Sequence, residues 1–160
     1  MKKITIKIGI IGYLPFDFNR KMIKQWKSNV FEVIDDIEEY HIHNNSDTGL
    51  WSYSDDILEK ELPTNYNADF FIGITYVPIG NNYYARRLNS NRVVLSYFEM
   101  YQIIKQENIP IENLLLRILY ACTLVYLRSS NQIPIYSQWI GFFFSSSPVR
   151  FHHPDNHLKE

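Results

Sequence analysis

The chain has a single cysteine and lacks any apolar segment long enough to cross a bilayer. Cys122 is the only cysteine among its 160 residues, which excludes an internal disulfide and suits a reducing compartment. The longest apolar run, residues 114–127, is shorter than the ~20 residues that a membrane-spanning helix needs. The amino terminus has two lysines and then an alternating stretch, without the apolar block of a secretory signal peptide. We therefore expect a cytoplasmic protein with no membrane contact.

Glycine is also scarce, whereas aromatic residues are abundant. The sequence has 6 Gly but 12 Tyr, 10 Phe and 3 Trp, and 46% of its residues are hydrophobic. This composition supplies a sizeable core and excludes wholesale disorder. A chain of this length matches one domain and needs neither a metal nor a disulfide to fold. We expect one domain over residues 1–150 and a polar carboxyl-terminal tail over residues 151–160.

Hydrophobic periodicity predicts alternating strands and helices. Isoleucines alternate with polar residues over residues 3–11, which predicts a strand with one buried face. A helix capped by Asp17 and a second strand then complete a right-handed β-α-β unit. The predicted fold is α/β, with α+β left open, and it has a mixed sheet and one central buried helix. The predicted segments are strand 3–11, helix 18–28, strand 29–37, helix 55–62 capped by Ser54, strand 69–77, hairpin strands 83–88 and 92–97, a helix from residue 96, a helix from Pro110, and short strands 133–135 and 139–144.

Charge is distributed unevenly, although the formal net charge is only −1. Residues 1–28 carry seven Lys or Arg and one acid, whereas residues 29–69 carry eleven acids and one Lys. This balance disfavours nucleic acid, whose phosphates need a basic surface, and it favours a basic protein partner. A solvated surface explains each carboxylate singly, so only their accumulation suggests a binding face. The predicted partner-binding residues are Asp35, Asp36, Glu38, Glu39, Asp55 and Asp56.

A second candidate site lies in the loop that follows the predicted strand 69–77. Residues 81–87 read Asn-Asn-Tyr-Tyr-Ala-Arg-Arg and concentrate groups that are common at recognition surfaces. A polar hairpin arm with solvated arginines explains the same residues. If the loop binds a ligand, its arginines favour a small anion. The predicted ligand-binding residues are Asn82, Tyr84, Arg86 and Arg87.

Residues suited to metal or nucleophilic catalysis are few. His41 and His43 would share one face of a strand and make a workable zinc pair, but a solvated strand end explains them better. Cys122 lies in the most hydrophobic predicted helix, where burial raises the pKa of a thiol and lowers its reactivity. The remaining histidines fall near the end of the chain: His152, His153 and His157. We expect no catalytic residue, no metal site and no cofactor.

Three segments resemble the archaemetzincin branch of the metzincin metalloproteases. Residues 69–75, Asp-Phe-Phe-Ile-Gly-Ile-Thr, are similar to that family's strand ending in Gly-x-Thr, and residues 93–97 look like its following edge strand. Residues 113–127 would correspond to its active-site helix, but they lack the His-Glu-x-x-His motif that holds zinc. The resemblance implies a protease scaffold without its zinc, and no family site residue carries over to this chain.

These observations favour a non-catalytic protein-binding module whose acidic face engages a basic protein. A bacterial immunity or antitoxin-like protein would use such a face to mask a basic toxin, with fast and salt-sensitive association. Two alternatives stay open at this point. One is a hydrolase, such as a diverged metalloprotease-like enzyme that uses His41 and His43, and the other is a sensor of small anions. The sequence leaves the oligomeric state open.

Overall fold

A mixed five-stranded sheet forms the centre of the molecule. The computed structural model describes residues 2–49, 51–82 and 84–133. Its strands are β1 (Ile4–Ile11), β2 (Phe31–Tyr40), β3 (Phe70–Thr75), β4 (Ala85–Leu88) and β5 (Arg92–Ser96). They lie in the order β2-β1-β3-β5-β4, and all neighbours are parallel except β4, which is antiparallel to β5. The α/β fold with a mixed sheet is therefore confirmed.

Helices cover both faces of this sheet. They are α1 (Arg20–Lys24), α2 (Asp55–Glu61), α3 (Met100–Gln106) and α4 (Ile111–Arg128). Because neighbouring side chains on a strand point to opposite faces, β3 sends Ile72 into the core beneath α1, α3 and α4, and Phe71 into the core beneath α2. Every residue of β3 is buried, as its continuous apolar sequence predicts.

The hairpin and the cap of α2 form as the sequence predicts. Ser54 caps α2 by accepting the backbone N–H of Ile57 at 3.4 Å. β4 and β5 pair with Leu88 opposite Arg92, and the turn between them holds Ser90 and Asn91 at positive φ. Short polar side chains tolerate this left-handed backbone, which explains why Asn and Ser mark the turn.

The first helix is shorter than predicted, because a different residue caps it. Asn19, rather than Asp17, accepts the backbone N–H of Met22 at 2.9 Å, and the carboxylate of Glu112 accepts the N–H of Asn19 at 2.6 Å. The helix therefore starts at Arg20 and runs only to Lys24. The predicted helix 18–28 with an Asp17 cap is wrong at both ends.

The longest helix, α4, contributes nine buried residues to the core. It packs one face against the sheet through residues such as Leu115, Leu119 and Cys122, while Arg117 and Leu127 are exposed. The prediction of one long buried helix is confirmed as α4, although its outer face is not apolar all round. Among the described ranges, no helix has the length and apolarity that a bilayer crossing needs.

Some expectations fall on parts of the chain beyond the described residues. They are the strand 139–144, all but the first residue of the strand 133–135, the polar tail 151–160, and the histidines at 152, 153 and 157.

The second strand contains a β-bulge opposite the middle of β1. Lys7 pairs with Ile34 and Gly9 pairs with Glu38, so β2 carries extra residues between these two points. Asp35, within the bulge, adopts a φ of 57°. Such a bulge bends a strand and redirects its side chains. Beyond the bulge, β2 continues to Tyr40, past the predicted end of the strand at residue 37.

Gly9 allows the ring of Tyr40 to lie across β1. A Cβ at position 9 would come within 2.5 Å of Cε2 of Tyr40 and 2.8 Å of Cζ of Phe71. Tyr40 and Phe71 meet there edge to face, with ring centroids 6.0 Å apart. Glycine at this position is therefore required by close packing.

We expect Gly9→Ala to lower the free energy of unfolding by about 1–3 kcal/mol, because the added methyl group overpacks a filled site. Gly49→Ala is the matched control, since a Cβ at position 49 meets nothing within 4 Å. Urea denaturation of the two variants and the wild type measures the difference. Equal unfolding midpoints for Gly9→Ala and the wild type would show that the Tyr40 ring moves away at no cost.

Candidate functional site

Four of the five acidic residues of β2 are bound by cations from the amino-terminal part of the chain. The side chain of Lys7, only 9% exposed, places Nζ 3.1 Å from Oε1 of Glu38 and 3.5 Å from Oδ2 of Asp35. The hydroxyl of Tyr40 also donates to Glu38 at 2.8 Å. The hydrogen bond from Tyr40 and the charge of Lys7 lower the pKa of Glu38, and burial together with Glu38 raises the pKa of Tyr40 to about 12. Glu38 is therefore ionised and Tyr40 neutral at pH 7.

Two further carboxylates on β2 pair with α1 but remain open to solvent. Lys24 binds Asp36, whose side chain is 86% exposed, and this contact lowers the pKa of Asp36. Arg20 binds Glu39 at 2.5 Å, and the side chain of Glu39 is 64% exposed. Exposed ion pairs of this kind contribute little to stability, because water screens both charges. These carboxylates can therefore exchange partners.

The other two predicted partner-binding residues lie at the opposite side of the sheet. Arg86 on β4 donates two hydrogen bonds to the carboxylate of Asp55, from Nε to Oδ1 at 2.8 Å and from Nη2 to Oδ2 at 2.5 Å. Asp56 is exposed and makes no hydrogen bond or ion pair with any described residue. β2 and β4 are the two outer strands, so four strand spacings, or roughly 19 Å, separate them. The six acids do not form one surface.

The predicted ligand-binding residues are also divided. Arg86 points to the α2 side, whereas Arg87 is buried on the α4 side beside Cys122, and burial lowers the pKa of Arg87. Tyr84 packs against the core on the α4 side, and burial raises its pKa to about 12. Asn82 ends the short 3-10 turn Gly80–Asn82. Arg86 faces the cavity described next, whereas Arg87 and Tyr84 lie on the other face of the sheet.

A cavity of about 450 Å³ lies between α2, the loop before it and the start of β4. Its charged lining residues are Asp55, Asp56 and Arg86, and its hydroxyl-bearing ones are Thr48, Ser52 and Ser54. The backbone at Asn81, which also lines the cavity, has a φ of 62°. The cavity thus brings together Arg86 with Asp55 and Asp56, which the sequence analysis assigned to separate sites. Nothing in the sequence beyond a polar loop indicated that Thr48, Gly49 and Ser52 would line a cavity.

The cavity lies at the carboxyl ends of the parallel strands. Gly80 follows β3, and Arg86 on antiparallel β4 pairs with Val94 of β5. The loop before α2 is tied to this edge by two backbone bonds, from Tyr53 N–H to the carbonyl of Pro78 at 2.9 Å and from Gly80 N–H to the carbonyl of Tyr53 at 3.0 Å. Ligands of open α/β sheets bind preferentially at this edge.

Glu61 holds the other end of that loop. Its side chain is 1% exposed and accepts the backbone N–H groups of His43, at 3.0 Å, and Asn44, at 2.7 Å, together with the Asn44 side chain at 2.7 Å. Burial alone would raise the pKa of Glu61, but these hydrogen bonds outweigh it and lower the pKa. The sequence analysis counted Glu61 within the acidic stretch, whereas its carboxylate faces inward and anchors a loop.

The two histidines near this loop do not form a metal centre with other described residues. Nδ1 of His43 lies 3.5 Å from Glu61, while His41 is exposed. Ile42 between them packs into the core beneath α2. Within residues 2–49, 51–82 and 84–133, no group of three His, Cys, Asp or Glu residues is arranged to hold a metal ion.

We expect the difference in stability between the wild type and Glu61→Gln to shrink in acid. The folded-state pKa of Glu61 lies below 4.5, so its stabilising effect is complete above that value and is lost as the pH falls through the folded pKa. At pH 7 the variant should lose about 1–3 kcal/mol, because buried N–H groups lose an acceptor. Urea titrations from about pH 7 to pH 3 measure this, with exposed Glu107→Gln as the control. A difference independent of pH contradicts the assignment.

The one thiol of the chain should be inert in the folded protein. Cys122 is buried, and burial raises its pKa to about 12 despite the nearby charge of Arg87. A disulfide reagent at about pH 8 should react with native protein about 100-fold more slowly than with protein in urea, since the thiolate is the reacting form. Equal rates in the two states would mean that the thiol is accessible.

The elements on which the archaemetzincin resemblance depends are present as β3, β5 and α4. β5 lies inside the sheet, between β3 and β4. Residues 114–127 of α4 contain neither His nor Glu. No protein-family model, curated protein or solved structure matches the chain, and the comparisons therefore leave this resemblance a prediction.

Proposed function

We propose that this chain is a non-catalytic, cytoplasmic protein-binding module whose β2 carboxylates bind a basic segment of a partner protein. The observation that supports this is the row of carboxylates along the outer strand of the sheet: Asp35, Asp36, Glu38 and Glu39. Their side chains are all more than half exposed although each has a cationic partner within the chain. Asp55 and Asp56 lie too far away to belong to the same binding surface.

The existing ion pairs set the strength of this interaction. Lys7 is buried and stays with Asp35 and Glu38, because a buried charge left alone is costly. Arg20 and Lys24 are exposed, so cations of a partner can replace them at Glu39 and Asp36 at little cost. The interaction is therefore governed by long-range attraction, which accelerates encounter and weakens as salt is added.

A partner of this kind fits the immunity or antitoxin-like role. A protein that masks a basic toxin gains from fast association, since electrostatic steering raises on-rates by about 10–1,000-fold. The archaemetzincin-like scaffold, if real, would serve here as a binding surface without zinc chemistry. The hydrolase alternative gains no support from the arrangement of His41 and His43 described above. The anion-sensor alternative loses its main donor, because Asp55 already occupies Arg86.

We expect the double variant Asp36→Asn/Glu39→Gln to bind an oligolysine peptide with an on-rate about tenfold lower than the wild type at about 50 mM salt, because steering charge is removed. The two on-rates should converge at about 500 mM salt, where screening is strong. Stopped-flow or surface-based kinetics measure both.

The matched control is Glu99→Gln/Glu107→Gln, which removes the same charge from two exposed positions at α3. It should keep the wild-type on-rate to within about twofold, because distant surface charges are screened. A wild-type on-rate that does not change with salt, or an equal loss in the control, would overturn the proposed binding surface.

A further inference from the structure

We propose that Phe18, Ile37 and Glu39 form a binding site for the guanidinium group of an arginine in the partner protein. Arg20 of the chain itself occupies this site and must leave before the arginine of the partner enters. This inference rests on the proposed function, because it names the side chain that the β2 surface selects among the cations of a basic partner.

The contacts of Arg20 show how a guanidinium fits the site. Its Nη2 donates to Oε1 of Glu39 at 2.5 Å, and its Nη1 donates to the backbone carbonyl of Ile37 at 3.4 Å. Its Cζ lies over the ring of Phe18, 5.8 Å from the ring centroid, which is within the range of a cation–π contact. A carboxylate, a second acceptor and an aromatic ring thus contact one planar group.

These three contacts favour arginine over lysine. A guanidinium donates from several nitrogens in one plane and can lie flat against an aromatic ring, whereas an ammonium is a compact point charge. A lysine neutralises Glu39 equally well, but it lacks a second nitrogen for Ile37 and a flat surface for Phe18. The neighbouring contact of Lys24 with Asp36 joins one nitrogen to one carboxylate oxygen, so either type of cation suits that position.

Most of the site is held in place by the fold. Ile37 belongs to the core beneath α1, α3 and α4, and Phe18 packs against the same core. Backbone groups of successive strand residues point alternately to the two sides of the strand. Because the carbonyl of Tyr40 bonds to β1, the carbonyl of Ile37 points away from β1, to the side on which the described residues contain no further strand. A preformed acceptor and ring lower the cost of binding a guanidinium.

Arg20 can leave the site at little cost. Its side chain is 47% exposed and that of Glu39 is also exposed, so water replaces the lost contacts. The helix that Arg20 begins is capped by the side chain of Asn19, without the guanidinium. A competitor that fills a site for about 90% of the time weakens the binding of another ligand about tenfold. Arg20 therefore restricts the site to partners that gain further contacts along β2.

The first test compares hexaarginine with hexalysine, which carry equal charge, by fluorescence anisotropy at about 50 mM salt, where screening is weak. We expect the wild type to bind hexaarginine about fivefold more tightly, as one added cation–π contact would give. Because arginine favours many acidic surfaces, the decisive quantity is the change of this ratio in variants. The ratio should fall below about twofold in Phe18→Leu and in Glu39→Gln, and it should persist in Phe18→Tyr, which keeps an aromatic ring.

The second test removes the internal competitor. Arg20→Gln should bind hexaarginine about tenfold more tightly than the wild type does, because the site is then vacant. Hexalysine should gain about twofold at most, since only one repelling charge is lost. Lys24→Gln is the matched control, because it removes the same charge from the neighbouring pair with Asp36. It should strengthen the binding of both peptides by the same small factor.

Two results would overturn the arginine site and leave the proposed function intact. One is salt-sensitive binding of both peptides with a ratio that is unchanged in Phe18→Leu, Glu39→Gln and Arg20→Gln. The other is an equal gain in hexaarginine binding in Arg20→Gln and Lys24→Gln. Binding of neither peptide to the wild type would instead overturn the proposed function, and this inference with it.

Discussion

The structure depends on ion pairing between the amino-terminal cations and the carboxylates of β2. Lys7 is buried in the sheet, and an unpaired charge there would strongly destabilise the fold. The bulge at Asp35 brings that carboxylate and Glu38 to the lysine, while Arg20 and Lys24 continue the pairing at the surface. Charge that is separated into blocks along the chain is thus neutralised in space, and only the exposed outer pairs remain open to exchange.

Much of the architecture could be predicted, because periodicity reports burial directly. The continuous apolar run of β3 and the Ser54 cap of α2 are local signals, and both describe the structure correctly. The first and last residues of α1 could not be predicted from local sequence, because Glu112 on a distant helix accepts the backbone N–H of the capping residue Asn19. The burial of α4 likewise depends on which of its faces meets the sheet.

The candidate sites were less predictable, because charge in a sequence does not reveal its partners. Asp55 and Arg86 are 31 residues apart and were assigned to different sites, yet they form one two-point contact. Glu61 reads as one more surface acid, but its burial and three acceptor bonds become visible only in three dimensions. Arg86 and Arg87 are adjacent, and strand alternation alone sends them to opposite faces.

The position of β2 has a consequence for how copies of the protein behave at high concentration. In the described part of the chain β2 is an outer strand, and such a strand can template pairing with a second copy and lead to fibrils. The bulge interrupts its regular spacing, and like charges on two approaching copies would repel each other. The carboxylates proposed to attract a basic partner therefore also protect the protein against polymerising with itself.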